Sequence, residues 1–378
     1  MTWPSTELAE RPYAFYERLR RHDPVWRSPE TGELLVSHWT DIVAVAEDPD
    51  AFGQYRAGPA TNGMAASDGT EHRTKRAAAQ PLVSHRSIRD HADRIRALSQ
   101  SLADGLAGRS RVAFAAEYAR VLPAQVLCEV LGLPAADAQL FVEWFGPPEA
   151  RASRLVSDRD VAAAAARMNA AAAYVEAALL ERVRTPGDDP LSGWLQRLDA
   201  PPWQALEYLS NEILFLFFAG YVPVAHVLTS AVALLLQHPE TLARVRDDRS
   251  LVGAVVDEAL RLDAPIQWLN RVARRDAEVA GVEIPAGSTV VLLWGSGTRD
   301  EGAFDRPAEF RLDRPEPART QLAFGRGAHL CLGAPLVRLQ ARIALETLLD
   351  RLPRMRLASP PVDYRVERTP AEVLLDTT

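Results

Sequence analysis

Residues 324–333 decide how this sequence folds, and they read Phe324-Gly325-Arg326-Gly327-Ala328-His329-Leu330-Cys331-Leu332-Gly333. Three glycines within ten residues allow the backbone to turn tightly and to lie close to a bulky flat group. A helix is predicted to begin near Ala334 and Pro335, because proline suits the first turn of a helix. A thiol just before a helix N-terminus is favoured as the thiolate. Taken alone, the stretch leaves two interpretations open: a reactive thiolate at Cys331, or a buried and inert cysteine.

The fixed positions of this stretch match a known signature. F-G-x-G-x-H-x-C-x-G is the haem-binding pattern of the cytochrome P-450 family, and all six fixed positions are present. The chain resembles the soluble bacterial members of that family from about Pro12 to its C-terminus. The resemblance implies that Cys331 binds the iron of haem b, where a thiolate favours cleavage of an O–O bond. It also implies that other loop residues help to bind the cofactor, namely Phe324, Gly325, His329 and Gly333.

Helical periodicity dominates the rest of the chain. The predicted helices cover residues 11–21, 88–106, 124–131, 161–184, 203–237, 239–246, 251–262 and 334–352. The predicted strands cover residues 34–37, 270–273, 279–284 and 288–294, with further short strands between 355 and 375. These elements predict a mainly α protein with a minor β region. The resemblance implies the cytochrome P-450 fold, as a single domain over residues 1–378.

Length, charge and cysteine content limit the classes of protein. At 378 residues the chain exceeds the roughly 250–300 at which single cores stop growing. This favours two domains or a fold organised around a buried cofactor. A net charge of −7 argues against nucleic-acid and anionic-membrane binding. Two cysteines cannot form a disulfide framework, and no signal peptide is recognisable, so we expect a cytoplasmic protein.

One segment imitates a membrane span, because residues 213–236 are nearly all apolar. The segment contains Gly220, Pro223 and His226, and no cluster of basic residues flanks it. A helix that is apolar all round is also typical of the centre of a large protein. We therefore interpret it as a central helix of the fold.

A second motif is formed by Glu258 and Arg261, which lie three residues apart and so on one face of a predicted helix. Their neighbours are apolar, which indicates a buried pair rather than a surface ion pair of little value. The pair matches the E-x-x-R motif of the same family, and the resemblance implies Arg314 as its partner. These three residues are expected to be structural and to take no part in the chemistry.

A buried haem needs partners for its two propionates. His72 and Arg76 lie one helical turn apart and resemble the H-x-x-x-R contact of bacterial family members. Arg271, on a predicted strand, and His329 complete the set by resemblance. For each residue alone, a solvated surface position is the alternative.

Candidates for the substrate pocket follow from periodicity. Side chains alternate along a strand, so Gln267 and Leu269 are predicted to point the same way as Arg271. On the central helix, Phe215 and Phe218 precede Ala219 by four residues and one residue and are further candidates. Ordinary core packing is the alternative for both phenylalanines.

The central helix departs from the family pattern. Most oxygen-activating members carry A-G-x-(Asp/Glu)-Thr-Thr there, where the acid and the alcohol relay protons, whereas residues 219–224 read A-G-Y-V-P-V. Ala219, Gly220 and Pro223 thus occupy the predicted catalytic positions, but neither Val222 nor Pro223 carries a transferable proton. Pro223 has no N–H for the carbonyl of Ala219 and is expected to kink the helix there.

This departure leaves several reactions open. In the first alternative, the protein is an ordinary monooxygenase whose protons come from water or from substrate hydroxyls. In the second, it uses peroxide as the oxidant. As a third possibility, its substrate carries the oxidising equivalent, as an N–O compound does. Tyr221 would supply a hydroxyl only if it points toward the reaction. The stretch between Phe52 and His72 is also shorter than the usual substrate-covering loop, which predicts an open mouth or a compact lid.

The resemblance implies a monomeric oxidative tailoring enzyme of bacterial specialised metabolism, acting on a small, partly apolar molecule. Electrons are expected from ferredoxin and ferredoxin reductase, with docking at a basic patch of Arg73, Lys75, Arg326 and Arg338. Two alternatives come from other classes. A haem-based sensor would keep Cys331 and show no turnover, and a non-haem helical scaffold would be colourless.

Overall fold

The computed structural model describes residues 3–55, 63–145, 158–198, 200–315, 321–370 and 372–378. It confirms a mainly helical chain with small sheets. The chain folds into two compact units. The first unit consists of Met1–Ala57, Val227–Ala334 and Leu357–Val373, and the second of Gly58–His226, Pro335–Arg356 and Leu374–Thr378. That the whole chain is one domain stays a prediction.

The α-helices of the described residues are α1 Thr6–Glu10, α2 Tyr13–His22, α3 Trp39–Glu47, α4 Gly69–Ala79, α5 His85–Leu106, α6 Val121–Leu131, α7 Ala138–Phe145, α8 Asp158–Arg184, α9 Pro190–Arg197, α10 Pro202–Gln237, α11 Pro239–Asp247, α12 Val252–Leu262, α13 Trp294–Gly297 and α14 Ala334–Arg351. Short 3-10 turns cover Met64–Ala66, Gln80–Val83, Ala135–Asp137, Arg249–Leu251 and Gly327–His329, and a π-helical turn covers Ala115–Ala119. All eight predicted helices are confirmed, with their ends shifted by up to three residues.

Local chemistry explains these helix ends. Gly132 ends α6 in the left-handed conformation, with φ of 72°, and its N–H donates to the carbonyl of Glu129. Pro12 precedes α2, so this helix begins at Tyr13 and not at residue 11. Helix α4 was not among the predicted helices, because its mostly polar and small residues give it only a weak apolar period.

The strands are β1 Val25–Arg27, β2 Leu34–Val36, β3 Phe52–Gln54, β4 Val112–Ala113, β5 Leu269–Ala273, β6 Ala277–Val279, β7 Val282–Ile284, β8 Thr289–Leu292, β9 Arg356–Leu357 and β10 Leu374–Asp376. Five of them form one sheet in the order β1-β2-β8-β5-β3, in which only the β2–β8 pair is parallel. The smaller sheets are β4-β10-β9 and the β6–β7 hairpin.

The prediction of one strand over residues 279–284 is wrong. Ala280 and Gly281 both have positive φ, 51° and 78°, and they form the two-residue turn between β6 and β7. A turn with two left-handed residues matches the twist of a tight hairpin. Alanine at the first turn position hid this signal, because asparagine, aspartate or glycine usually stands there.

The first unit packs apolar side chains on both faces of the five-stranded sheet. Leu34 and Val36 lie in one core cluster with Trp294, whereas Leu35 joins a second cluster with Tyr16. This alternation follows from the two-residue period of a strand. The middle of the sheet is therefore buried on both sides, and β5 lies between β8 and β3.

Helix α10 is the 36-residue central helix, and it continues through Pro223. In the described part of the chain it alone is long and apolar enough to cross a membrane, and half of its most apolar window is buried in the protein. Its kink at Ala219 stays a prediction.

Candidate functional site

The loop before α14 holds Cys331 through its backbone. The Cys331 N–H donates to the carbonyl of Phe324 at 2.9 Å, and the Cys331 carbonyl accepts from Ala334 N at 3.4 Å. Cys331 is half-buried, and Leu330 beside it is 45% exposed. A thiol is thus fixed just before a long helix, with an apolar side chain open next to it.

Gly327 lets this loop pass close to another backbone. Its φ is +71°, and a Cβ at this position would lie 2.4 Å from the carbonyl oxygen of Ala46, near the end of α3. Only glycine accommodates both the left-handed backbone conformation and the short distance to the Ala46 carbonyl. Gly333 leaves space beside the thiol, because a Cβ there would lie 4.0 Å from the Cys331 Sγ. His329 ends the short turn that follows Gly327 and is half-buried.

One residue that fixes the loop was missed by sequence reasoning. The Gln321 side chain is buried, and its amide donates to the carbonyl of Asp257 at 3.0 Å. Its Oε1 accepts from Ala323 N at 2.9 Å. Gln321 therefore ties the start of the cysteine loop to α12, and no spacing in the sequence signals that contact.

The structure brings Glu258, Arg261 and Arg314 together. Arg261 donates to both carboxylate oxygens of Glu258, from Nε at 2.7 Å and from Nη2 at 2.8 Å, and Arg314 Nε donates to Glu258 Oε1 at 2.8 Å. All three side chains are buried, and the guanidinium groups also donate to backbone carbonyls, including those of Pro307 and Glu309. The cluster thus fastens the segment after α13 to α12.

Arg271 is buried on β5, opposite Gln54 of β3. Its Nη1 donates to Gln54 Oε1 at 3.3 Å and to the carbonyl of Asn270 at 3.0 Å. Both acceptors are neutral, and the sheet positions the guanidinium. Gln54 is a second residue that the sequence did not single out, because β3 itself was not predicted.

His72 and Arg76 lie one turn apart on α4, in the second unit, as their spacing predicts. Burial lowers the pKa of His72 below its ordinary value of 6.5, and the charge of Arg76 adds to this effect. The shift disfavours the charged form of the imidazole, which keeps an N–H able to donate a hydrogen bond. Arg76 is half-buried. Shared binding of one group by these residues and Arg271 stays a prediction.

One side of the central helix is partly exposed to solvent, and we call its residues 215, 218, 219, 222 and 223 the open strip. Phe215 and Phe218 are 41% and 37% exposed, and Ala219, Val222 and Pro223 on the same side are half-buried. A contiguous exposed apolar patch can mark a ligand-binding groove. The two phenylalanines are therefore not core residues of the second unit.

Residues 220 and 221 of the helix face the protein instead. A Cβ at Gly220 would lie 3.1 Å from the side chain of Leu127, so the glycine allows close packing. Tyr221 is buried. Among the strand candidates, Leu269 is 49% exposed, whereas Gln267 is buried and donates to the carbonyl of Ala264 at 2.7 Å. Their predicted role in a substrate pocket stays a prediction.

The four residues of the expected docking patch differ in their surroundings. Arg73 is exposed, and Arg338 is half-buried. The Lys75 side chain is only 16% exposed and pairs with Glu71 at 2.6 Å, so it adds little charge to the surface. The guanidinium of Arg326 lies 5.8 Å from the ring centre of Trp39. Whether the four form one patch stays a prediction.

The chain is similar to known proteins along almost its whole length. The family model described as Cytochrome P450 matches residues 205–355. Cyclomarin C epoxidase CymV of Salinispora arenicola is 33% identical over 92% of this chain and 90% of that protein. C-19 steroid 1alpha-hydroxylase of Sorangium cellulosum is 32% identical over 91% of this chain and 88% of that protein.

A solved structure supports the same likeness. The crystal structure of P450BioI in complex with hexadec-9Z-enoic acid ligated acyl carrier protein superposes with a TM-score of 0.86. It is 26% identical and covers 97% of this chain and 98% of that chain. The likeness therefore extends to the fold as a whole, far beyond the ten residues of the cysteine loop.

Proposed function

The chain belongs to the cytochrome P450 family, and on that premise we propose that it tailors a small, partly apolar molecule in bacterial specialised metabolism. One relative is named as an epoxidase and another as a hydroxylase, which supports a monooxygenase enzyme, and the family implies haem iron. The observation that carries the proposal is the half-buried Cys331, held by Phe324 before α14. The name of the cyclomarin C epoxidase supports the biosynthetic setting.

The cysteine loop fits a flat, apolar cofactor, which we take to be haem b. The exposed Leu330 offers an apolar surface next to the thiol, and Gly333 brings no side chain against the Sγ. A thiolate is a known axial ligand of haem iron. Cys331 would hold the iron, and Phe324, Gly325 and His329 would shape the loop around it.

The propionates would be bound by groups of two kinds. Arg271 would contribute a buried positive charge, and charge-assisted hydrogen bonds to carboxylates are among the strongest. His72 would donate a hydrogen bond from its buried imidazole. Arg76 and His329 complete the proposed set.

When bound, the haem supplies the oxidising chemistry, and the chain positions the substrate and controls protons. Phe215 and Phe218 would contact the apolar part of the substrate, with Leu269 and Gln267 as further candidates. Neither Val222 nor Pro223 offers a transferable proton, so ordered water or a substrate hydroxyl would have to supply it. The same two residues favour a second candidate, a peroxide-driven or redox-neutral reaction.

The remaining proposals concern partners and location. We propose that the protein is a soluble, cytoplasmic monomer supplied with electrons by ferredoxin and its reductase. The crystal structure of P450BioI holds an acyl carrier protein, so delivery of the substrate on a carrier protein is a second arrangement to compare.

The decisive experiment is the absorption spectrum of the reduced protein with carbon monoxide. We expect the red-shifted Soret band of thiolate ligation, and we expect its loss in Cys331→Ala. Cys128→Ala is the matched control, because Cys128 is buried on α6 and should leave the spectrum unchanged. A spectrum of histidine or water ligation in the wild type would refute the proposal.

The oxidant is identified by comparing turnover under three conditions: reductase with oxygen, peroxide alone, and no oxidant. Turnover only with the reductase supports the monooxygenase and excludes the second candidate. Pro223→Thr should then raise the yield of product per electron consumed. Turnover with peroxide alone, or without any oxidant, would favour the second candidate.

A further inference from the structure

The central helix carries a buried carboxyl group that the proposed chemistry does not use. Glu212 has an exposed fraction of 0% and lies two turns before Ala219. Its Oε2 accepts a hydrogen bond from the N–H of Met64 at 2.9 Å. Its Oε1 has no hydrogen-bond partner among the described residues. Burying a carboxyl group with one unpaired oxygen is energetically unfavourable, so its presence here indicates a specific role.

The other side of this contact is a compact turn formed by residues 63–67. The Ser67 hydroxyl donates to the carbonyl of Met64 at 2.9 Å, and Ala66 N donates to the carbonyl of Gly63 at 3.2 Å. A Cβ at Gly63 would lie 3.0 Å from Glu212 Oε2, so a glycine here gives the carboxyl group room to reach the backbone. Met64 and Ser67 are both buried. The turn is thus built around the carboxyl group.

A second contact joins the same parts of the chain. Helix α4 begins just after the turn, and its Lys75 places Nζ 5.2 Å from the centre of the Tyr208 ring. Tyr208 precedes Glu212 by one turn of the central helix. Lys75 also pairs with Glu71 on its own helix. The turn and the helix after it are therefore both attached to one short stretch of the central helix.

We propose that Glu212 is a positioning residue for substrate binding, which holds residues 63–67 against the central helix next to the open strip of Phe215. This rests on the proposed function, in which Phe215 contacts the apolar part of the substrate. The contact makes residues 63–67 a compact cover beside that side chain. Glu212 is the acceptor for the Met64 N–H, so the position of the turn responds to this side chain.

Electrostatics support a contact that is local and easily released. Burial raises the pKa of Glu212, while the Met64 N–H and the charge of Lys75 act in the opposite direction. Only one of the two carboxyl oxygens is hydrogen-bonded in the described chain. An apolar side chain in its place would avoid the cost of burying a carboxyl group but would leave the buried Met64 N–H without its acceptor, a loss that is small beside the stability of a folded domain. A substitution should therefore free the turn without unfolding the protein.

The experiment measures hydrogen exchange of the Met64 amide in the haem-loaded full chain. Glu212→Leu removes the acceptor, and we expect exchange at Met64 to accelerate on the order of tenfold or more, with at most a modest fall in Tm. Glu212→Gln keeps an oxygen acceptor and should stay close to the wild type. Glu207→Gln is the matched control, because Glu207 is an exposed glutamate on the same helix. Unchanged exchange at Met64 in Glu212→Leu would overturn the proposal.

A second readout tests the link to binding. The probe is 4-phenylimidazole, which has to enter the site to bind the haem iron and shift its Soret band. We expect a several-fold faster association in Glu212→Leu than in the wild type or Glu207→Gln. If Met64 exchange became faster but the association rate of 4-phenylimidazole did not change, the contact would be purely structural. The positioning role of Glu212 would then be overturned.

The two proposals fail in distinguishable ways. If the reduced wild type showed no thiolate-type Soret band with carbon monoxide, the proposed function would be wrong, and exchange at Met64 would still report the contact itself. If the probe bound normally and only the Met64 result failed, the proposed function would stand and the role of Glu212 would be withdrawn.

Discussion

Glu258→Ala tests the reasoning about the buried ion cluster of the first unit. The Glu258 carboxylate accepts four hydrogen bonds: two from Arg261, one from Arg314 and one from the backbone N–H of Arg311. Its removal leaves two buried guanidinium groups without their carboxylate. Removing one partner lowers the free energy of unfolding by more than the intact cluster contributes to it, because the remaining charges stay buried without an opposite charge.

The size of the effect follows from these contacts. Breaking a buried pair by removing one partner costs about 3–5 kcal/mol. An unfolding entropy of about 2.1 cal/mol/K per residue gives about 0.8 kcal/mol/K for a chain of 378 residues. The expected fall in Tm is therefore about 4–6 °C. The cost is also a large share of the about 5–15 kcal/mol by which folded domains are stable, so less soluble protein is expected.

Calorimetry or circular dichroism of the purified variants measures this change. Glu309→Gln is the matched control, since the carboxylate of Glu309 is 52% exposed and pairs only with Arg306 among the described residues. The backbone carbonyl of Glu309, which accepts from Arg261 and Arg314, is retained. We expect a change below about 0.5 kcal/mol for an exposed pair. Equal Tm values for Glu258→Ala and Glu309→Gln would refute the reasoning.

Three further predictions concern the cysteine loop, the second thiol and the buried carboxyl group. Gly327→Ala forces a left-handed alanine against the carbonyl of Ala46, so differential scanning calorimetry should show a loss of about 1–3 kcal/mol from the backbone alone, together with lower haem content. Burial raises the pKa of Cys128 to about 12, so this thiol should not react with iodoacetamide at pH 8. Neither cysteine of the holoprotein should be labelled, and only Cys331 should be labelled after haem removal. Labelling of Cys128 in folded protein would contradict this. The pKa of Glu212 is raised, so its contribution to stability is complete below the ordinary glutamate pKa of 4.5 and is lost as the pH rises. The difference in Tm between the wild type and Glu212→Gln should therefore fall from pH 5 to pH 8.

Much of the functional loop was predictable, because its residues lie close together in the sequence. The glycines, the thiol and the following proline are read from one stretch of ten residues and its neighbours. The spacing of Glu258 and Arg261 predicts their contact for the same reason, as residues three apart share a helix face. Local signals of this kind depend on no distant part of the chain.

Contacts between distant segments were not predictable from periodicity. Gln321 reaches Asp257 across 64 residues, and Glu212 reaches Met64 across 148. A glutamate in an apolar helix gives no indication of its partner, and glutamine is common on surfaces. The three-residue strand Phe52–Gln54 was missed because so short a run shows no clear alternation.

The rotational setting of the central helix decides which residues of its apolar run can meet a substrate. The run L-F-L-F-F before Ala219 is apolar throughout, so periodicity alone cannot tell Phe217 from its neighbours. In the structure Phe217 stacks on Phe141 with ring centres 3.7 Å apart, and Gly220 packs tightly against Leu127.

A rotation by one residue, about 100°, would break both contacts at once. The aromatic pair alone contributes about 0.5–1.5 kcal/mol beyond the area that it buries. This packing fixes the strip that carries Phe215 and Phe218 on the open side, together with Val222 and Pro223. The residues that replace the family's proton relay therefore stand among the open side chains proposed to meet the substrate. On this proposal, their lack of a transferable proton bears on how the substrate reacts.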